Sequence, residues 1–587
     1  MAVRSNPGDA VACVWRASTV PVLQSLHTVV GHIRGILPAS LRDQPLLCAL
    51  YAYAAYFSAS FTLNFIVRPC LRKREASRTA VQLPNLTPSL FWGHFRDLFE
   101  TNRDRVYDRI WESFQGNKKT VQFATPFFDL TPLLITTIDA RNVKHILQDS
   151  FDNYIKTDVG TKTFPKMLSP GSKQFVGDGI FGVDHGPHAE DGGKSWKMQR
   201  KLAVQIFTKS NFQTHMCDCF QKQAMNSCAW ITKQGAQPVD LQDVFRRFTM
   251  ESIGNVFFNM DFDLLNPANT SKQLGFGACF DEVTAAAVRL RSPSALLYAL
   301  SDLCPHPLGH VVSYLYWSGS EQRSFLAKCA ELRSYASDIV CTSRMDPLLG
   351  TRRDLLALFL NTRQEDGSPL DDKLLVDLVI SFALAGRDTT ASLLSWTAYL
   401  LTQNPHVQIK LREEVFAQLG QAMPTYKDMD KMPYLRGVLW EVLRLRPVVP
   451  LDSKTAVKAD VLPDGTYVPR NARVLFFPFG VGLDQERWGQ DVQEMRPERW
   501  IGKPLPSSYD FPVFQAGPRI CIGMNMALFE AGVMLATLMQ HFELTLAGSA
   551  EEVRYDRNAV MGVEGGLLVK ATPLEVAQRV VSRQGGA

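Results

Sequence analysis

Apolar and polar positions divide the 587-residue chain into a few strongly patterned segments. From Leu374 to Leu401 ("LLVDLVISFALAGRDTTASLLSWTAYLL") the helical pattern is apolar almost all round, which predicts a long helix through the middle of a large core. The residues after Cys521 ("IGMNMALFEAGVMLATLMQHFEL") have strong helical periodicity, and "GKSWKMQRKLAVQIF" is an amphipathic helix. In "LWEVLRLRPVVP" a helix ends before Pro447. Around 451–480, "VLPDGTYVP" predicts a strand, a Pro-Asp-Gly turn and a second strand. Helical periodicity dominates the remainder, with no repeat of fixed period and no flexible linker between 95 and 575. One large domain over 91–575 is expected, mainly α with a small β region, followed by a tail over 576–587.

A different pattern precedes it. Gln44 to Val67 carries no charge across 24 residues. As a helix it would extend roughly 36 Å, enough for a hydrocarbon core of about 30 Å. Arg68, Arg72, Lys73, Arg74 and Arg78 follow directly, and the positive-inside bias assigns that side to the cytoplasm. The segment is therefore expected to be a transmembrane anchor, with a buried core helix as the alternative. It begins too far into the chain for a cleaved signal peptide. Residues 1–43 form an N-terminal extension with four arginines and two acids. Residues 68–90 form a basic linker stiffened by Pro84 and Pro88. A second span over 374–401 is disfavoured by Arg387 and Asp388 at its centre.

Composition is that of a globular protein, with 46% hydrophobic and 21% charged residues. The net charge of +5 is mild for this length, and no basic run in the main body is interleaved with aromatics, so nucleic-acid binding is not indicated. Eleven cysteines at irregular spacing, with no CxxC pair, indicate neither a zinc site nor a disulfide framework. A reducing compartment fits, leaving the sequons at Asn85 and Asn269 unused.

Candidate chemistry sits where the patterns are broken. In "AGRDTT", Gly386 weakens the long helix and Thr389 and Thr390 can bond back to an upstream carbonyl. A loosened helix beside an acid and an alcohol could admit a small ligand or water; a packed kink is the alternative. Glu441 and Arg444 lie three apart on one helical face, and Arg499 in "RPERW" is an available third partner. Trp196 and Arg200, four apart, make a donor pair for a carboxylate, or simply a solvated face. In "FQAGPRICIG", Cys521 sits on a glycine-rich loop feeding a helix N-terminus, which favours a thiolate. Gly517 and Gly523 leave room for something flat and large. No histidine base is near in sequence. A metal thiolate there would draw its other ligands from a cofactor such as haem.

These stretches, in this order, resemble the cytochrome P450 family of haem-thiolate monooxygenases over roughly residues 90–575, and FxxGxRxCxG is highly specific. The resemblance implies the cytochrome P450 fold and haem b (iron protoporphyrin IX), with Cys521 as the axial iron ligand and Phe514 beside the sulfur. Trp196, Arg200 and Arg519 would bind the propionates. Glu441, Arg444 and Arg499 would form a structural ion triad. Asp388 and Thr389 would relay protons to dioxygen (O2), and Ala385 and Gly386 would line the oxygen-side groove. The reaction implied is insertion of one oxygen atom into an unactivated C–H bond. Electrons would come from NADPH through a membrane-bound NADPH-cytochrome P450 reductase, with cytochrome b5 as a further partner.

"AGRDTT", "EVLRLRP", "DVLPDGTYVP", "RPERW" and "GDGIF" together resemble the eukaryotic fatty-acid and alkane ω-hydroxylase branch. That implies a long-chain fatty acid or related lipid oxidised near its methyl end. The enzyme would be a single-pass protein of the endoplasmic reticulum membrane with its catalytic domain in the cytosol. Pocket walls would include Phe382, Ala385, Val449, Pro450, Val560 and Met561. The alternatives are a sterol, terpenoid or xenobiotic substrate, a haem-thiolate isomerase or dehydratase, and a non-catalytic haem- or lipid-binding protein. The chain departs from the branch at "VDHGPHAEDGGKSW", which inserts several residues before Trp196. His185 and His188 there read as loop histidines rather than a metal site.

Overall fold

A long central helix, α5 (Asp372–Gln403), organises the structure, a computed structural model. It describes residues 105–574 apart from 115–117, 124–133, 157–171, 188, 190, 267–274, 290–307 and 557–559, together with scattered positions between 53 and 67. The expected extension, linker and tail lie outside the described residues, as do His188 and two thirds of 44–67. Among the described residues no helix is long and apolar enough to cross a membrane.

Helix α5 begins at Asp371, whose side chain accepts from the N–H of Lys373, and ends at Asn404, where Pro405 opens the next helix. Its apolar residues on nearly all sides are buried, as the pattern predicted. Five labelled helices pack against or flank it. They are α2 (Leu241–Ile253), α3 (Gly275–Arg289), α4 (Ser320–Met345), α6 (Pro433–Leu445) and α7 (Met524–His541). Helix α1 (Lys194–Val204) carries Trp196 and Arg200.

Helix α5 runs unbroken through "AGRDTT". Thr389 Oγ1 donates to the carbonyl of Ala385 at 2.6 Å, the expected back-bond, without ending the helix. A Cβ on Gly386 would collide with Ile253 of α2, so this glycine permits close helix packing rather than a kink.

The strands are β1 (Thr120–Phe123), β2 (Leu134–Thr137), β3 (Tyr154–Ile155), β4 (Val239–Asp240) and β5 (Asp452–Ala456), followed by β6 (Asp460–Val461), β7 (Tyr467–Val468), β8 (Arg473–Phe476), β9 (Phe542–Leu546) and β10 (Leu568–Pro573). A five-stranded sheet has the order β1-β2-β8-β5-β3, with β2 and β8 parallel (Ile135 opposite Val474) and the other pairs antiparallel. The hairpin expected in "VLPDGTYVP" is β6–β7, with Gly465 at φ 87° in its turn. The described residues are thus mainly α with a small β region.

Candidate cofactor site

Cys521 lies between a single 3₁₀ turn, Gly517–Arg519, and the start of α7. Its N–H donates to the carbonyl of Phe514 at 2.8 Å, and the Phe514 ring meets Trp440 edge-on at 5.8 Å. The thiol is accessible, yet burial among protein groups raises its pKa against the Gly523 N–H and Arg200, which lower it. Such a sulfur opens onto a recess rather than bulk water. The helix end therefore does not by itself make the thiolate expected from sequence. A coordinated metal ion would deprotonate it.

The two glycines have different roles. Gly517 adopts φ 63°, and a Cβ there would collide with the Leu147 carbonyl oxygen. Its missing side chain makes room for the chain itself, not for a flat ligand. A Cβ on Gly523 would lie 3.9 Å from the Cys521 sulfur, an ordinary contact on the side the thiol faces.

Around the recess the structure gathers cations. Arg200 donates through Nη2 to the carbonyl of Ile520 at 2.9 Å, tying α1 to the cysteine loop. The Arg519 guanidinium lies 4.6 Å from the ring of buried Trp196, and burial brings its pKa down to about 10. Two lysines that sequence reasoning missed join them. Lys454 on β5 is 1% exposed, with its pKa lowered by burial, and its ammonium lies 3.6 Å from Asp452. Lys156 is pushed down to about 7 by burial, with Arg519 and Lys454 adding repulsion. Arg519, Lys156 and Lys454 thus share only two nearby carboxylates, Asp184 and Asp452, and Arg200 adds a fourth positive charge beside Arg519. A dianionic group would relieve that surplus, and haem, with two propionates and an iron that takes a thiolate, fits the donors present. No spacing in the sequence ties Lys156 or Lys454 to Cys521.

On α5, Ala385, Gly386, Asp388 and Thr389 are partly accessible. Asp388 accepts from Arg387 Nη1 at 2.7 Å, and the other arm of Arg387 reaches Asp281 of α3. Phe382 is buried and packs edge-on against Phe257 at 5.8 Å, with Phe359 at 6.2 Å. These neighbours pack it in the core against the Gly254–Phe258 turn that follows α2 and the Leu355–Asn361 helix. Gly386 likewise faces Ile253. Of the other residues expected at a pocket wall, Met561 approaches the Val448–Pro450 segment through the backbone. Met561 N–H donates to the carbonyl of Val448, beside Val449 and Pro450, and the Met561 carbonyl accepts from Ser392 and Trp396 of α5. Val449 and Val560 are part-buried, and Met561 is fully buried.

The ion set is assembled as expected and gains a member. Arg444 bonds both oxygens of Glu441 at 2.7 and 2.9 Å. Arg499 reaches Glu441 at 3.2 Å, and the indole N–H of Trp500 donates to it at 2.8 Å. Arg444 also donates to the carbonyls of Gly482 and Val492, so its fork ties α6 to the segment before the cysteine loop. Glu530 of α7, fully buried, was not anticipated.

A family model described as Cytochrome P450 matches residues 182–571, and the chain belongs to that family. It is 33% identical to cytochrome P450 94C1 of Arabidopsis thaliana over 454 residues, 74% of this chain and 84% of that protein. Cytochrome P450 94A1 of Vicia sativa is 33% identical over 430 residues, 70% of this chain and 76% of that protein. Cytochrome P450 704C1 of Pinus taeda is 31% identical over 511 residues, 80% and 90% of the two chains. The protein is accordingly a monooxygenase, an oxidoreductase whose family uses haem, dioxygen and an external electron donor.

Proposed function

We propose that the chain hydroxylates a long-chain fatty acid or related lipid at or near its ω end. Its haem b is held through Cys521, and its electrons come from NADPH through NADPH-cytochrome P450 reductase, with cytochrome b5 as a second donor. The observation that carries the cofactor reading is the accessible Cys521 with Arg200 beside its sulfur and with Arg519, next to Arg200, clustered with Lys156 and Lys454. The motif set shared with the fatty-acid and alkane ω-hydroxylase branch supports the lipid substrate, and the similarity to plant proteins of the 94 and 704 groups agrees with it. The uncharged segment 44–67 with its basic flank supports attachment to the endoplasmic reticulum membrane, the domain over 91–575 lying on the cytosolic side.

When bound, haem supplies reductive activation of dioxygen and transfer of one oxygen atom to a C–H bond. The chain's own residues do the rest. Arg200, Arg519, Lys156 and Lys454 hold the anionic edge, and Glu441, Arg444 and Arg499 fix the segment beneath the loop. Asp388 can carry a proton. Thr389 has committed its own hydrogen to Ala385 and therefore presents lone pairs, an acceptor that can hold a water in place.

The test is a carbon monoxide difference spectrum of the reduced protein, followed by a spin-state titration with fatty acids of graded length against sterols and aromatics. A red-shifted Soret band with Cys521, lost in Cys521→Ala, is expected, and fatty acids should give the largest high-spin shift. Absence of that band in the wild type sinks the thiolate assignment. A sterol or aromatic that outperforms every fatty acid sinks the substrate assignment alone.

A further inference from the structure

The insertion that precedes Trp196 has no place in the oxygen chemistry, yet it contributes the most completely constrained histidine beside the site. His185 is 0% exposed. Its ring stacks on Phe151 with centroids 3.7 Å apart and planes 20° from parallel. Nε2 lies 3.0 Å from the carbonyl oxygen of Phe151, which can only accept, so Nε2 carries the hydrogen. Nδ1 lies 3.0 Å from Nε of Arg519, which can only donate, so Nδ1 carries a lone pair. The two partners fix both tautomer and charge: the imidazole is neutral. Asp184 Oδ1 is 3.4 Å from Nδ1, but two acceptors cannot bond there, and its oxygen takes the N–H groups of Lys156 and His185 instead. Burial, with Arg519 and Lys454 adding repulsion, pushes the His185 pKa to about 4, in agreement with that tautomer.

The same insertion takes a second arm of the arginine, since Arg519 Nη2 donates to the carbonyl of Val183 at 3.0 Å. With the Trp196 ring beneath it, the guanidinium is held on three sides by neutral groups, and Asp184 and Asp452 act on it only through space. Nη1 has no partner among the described residues. Neutral acceptors fix an arginine without spending its charge, whereas a carboxylate in the same place would compensate it. The position matters because Arg519 is two residues from Cys521.

We propose that His185 is a cofactor-positioning residue, a neutral imidazole that locks Arg519 over Trp196 so that a guanidinium with no carboxylate bonded to it is presented to a propionate of haem. This rests on the reading of Cys521 as the haem ligand. The insertion thereby acquires a role, because residues 183–185 form a bracket for the arginine of the cysteine loop.

The experiment compares full-length holoenzymes of wild type, His185→Phe and His185→Asn. Phenylalanine keeps the stack on Phe151 and removes the acceptor. Asparagine keeps an acceptor at the position of Nδ1. The readouts are the rate of haem transfer to apomyoglobin and the reduction potential. His185→Phe should release haem about tenfold faster, the lower end of what losing an outer-shell partner costs a bound group. Its potential should fall, because a fixed positive charge near the haem is no longer held in place. His185→Asn should lie close to wild type in both.

Wild-type values in His185→Phe overturn the proposal. So does equal damage in His185→Asn, which would make the ring, not its acceptor, the important feature. If His185→Phe does not accumulate as holoenzyme, His185→Gln, whose acceptor sits at the Nε2 position, takes its place with the same expectations. Loss of the thiolate Soret band in the wild type would instead overturn the haem reading itself, so the two failures are distinguishable.

Discussion

Asp388 is ion-paired with its own neighbour: Arg387 Nη1 lies 2.7 Å from Oδ1, across a single peptide bond in the middle of the buried helix α5. Consecutive residues on a helix do not ordinarily face each other. The pair forms because the Arg387 side chain is 4% exposed, lies over Phe280 at 5.4 Å, and must find carboxylates on both sides, Asp281 of α3 and Asp388. Asp388 remains the partly accessible member, on the same accessible stretch as Thr389.

If Asp388 carries protons to the reaction, Asp388→Asn separates that function from structure. The amide keeps an oxygen for Arg387 but cannot give and regain a proton. The holoenzyme should fold and keep its carbon monoxide band, while product formed per NADPH falls by about 10²-fold and peroxide accounts for the missing electrons. Coupling unchanged from wild type would remove Asp388 from the proton path. Thr389→Ala should uncouple in the same sense, because it removes the acceptor beside Asp388.

The buried ion set makes a prediction about folding. Arg444 and Glu441 are both 0% exposed, and Arg444 spends its remaining donors on the carbonyls of Gly482, Val492 and Glu494. Arg444→Met takes the Arg444 donor from those three carbonyls and leaves the buried Glu441 carboxylate with Arg499, Trp500 and the Arg496 N–H alone. Breaking one side of a buried pair costs about 3–5 kcal/mol. The variant should accumulate little holoprotein, measured as Soret absorbance per unit of protein. Arg499→Lys, at a position whose guanidinium has Asp491 as a second partner, should lose less. Equal yields for all three proteins would contradict the structural role.

How far the site was legible in the sequence depends on how each part is encoded. The cysteine loop, the Glu441–Arg444 pair and the Trp196–Arg200 spacing are local and survive as motifs; the structure joins Glu441 to Arg444 and closes the loop, while Arg200 bonds the Ile520 carbonyl and Trp196 meets Arg519 instead. Lys156 and Lys454 act from segments about 365 and 67 residues away from Cys521, where no spacing rule reaches. Phe382 and Gly386 show a different limit. A helix apolar on nearly every side has no clear face, so the pattern located α5 but not which of its residues turn toward Phe257 and Ile253. His185 looked like a loop residue because glycine, proline and acids surround it; its burial comes from Phe151, Trp196 and Arg519, all outside the insertion.

Glu530 predicts how stability changes with pH. It is fully buried, and neither carboxyl oxygen has a well-formed hydrogen bond, although the hydroxyls of Ser252 and Thr390 are close; Ser252 donates to Phe248 instead. Burial pushes its pKa from 4.5 to about 8. The folded protein therefore holds a proton that the unfolded chain releases above about 4.5. The unfolded state binds fewer protons across that window, so stability falls as pH rises from about 4.5 through 8. The loss is of order a few kcal/mol, since one unit is about 1.4 kcal/mol. Glu251, raised to about 7 chiefly by burial, contributes with the same sign. Urea midpoints of the holoenzyme between pH 5 and 8 should decline for wild type and decline less for Glu530→Gln, which is uncharged throughout. Identical slopes would mean that Glu530 does not hold its proton.

The two glycines of the cysteine loop give the sharpest contrast. At Gly517 alanine meets two obstacles at once: a left-handed φ of 63° and the carbonyl oxygen of Leu147 in the path of its Cβ. Backbone cannot move aside as a side chain can, so the turn carrying Arg519 must shift, and with it the hydrogen bond from Cys521 N–H to Phe514. At Gly523, φ is −90° and the added Cβ lies 3.9 Å from the sulfur. Nothing in the protein forbids it. Gly517→Ala should lower thermal stability and release haem, with a growing fraction of the carbon monoxide band appearing unshifted as the thiolate is lost. Gly523→Ala should keep apoprotein stability and alter only the band position or haem affinity, because the one atom its Cβ meets is the Cys521 sulfur. If the two variants were equally stable and equally loaded with haem, the collision at Leu147 would not govern the loop. If Gly523→Ala alone unfolded the protein, the recess at Cys521 would be closed by the chain itself rather than open to a cofactor.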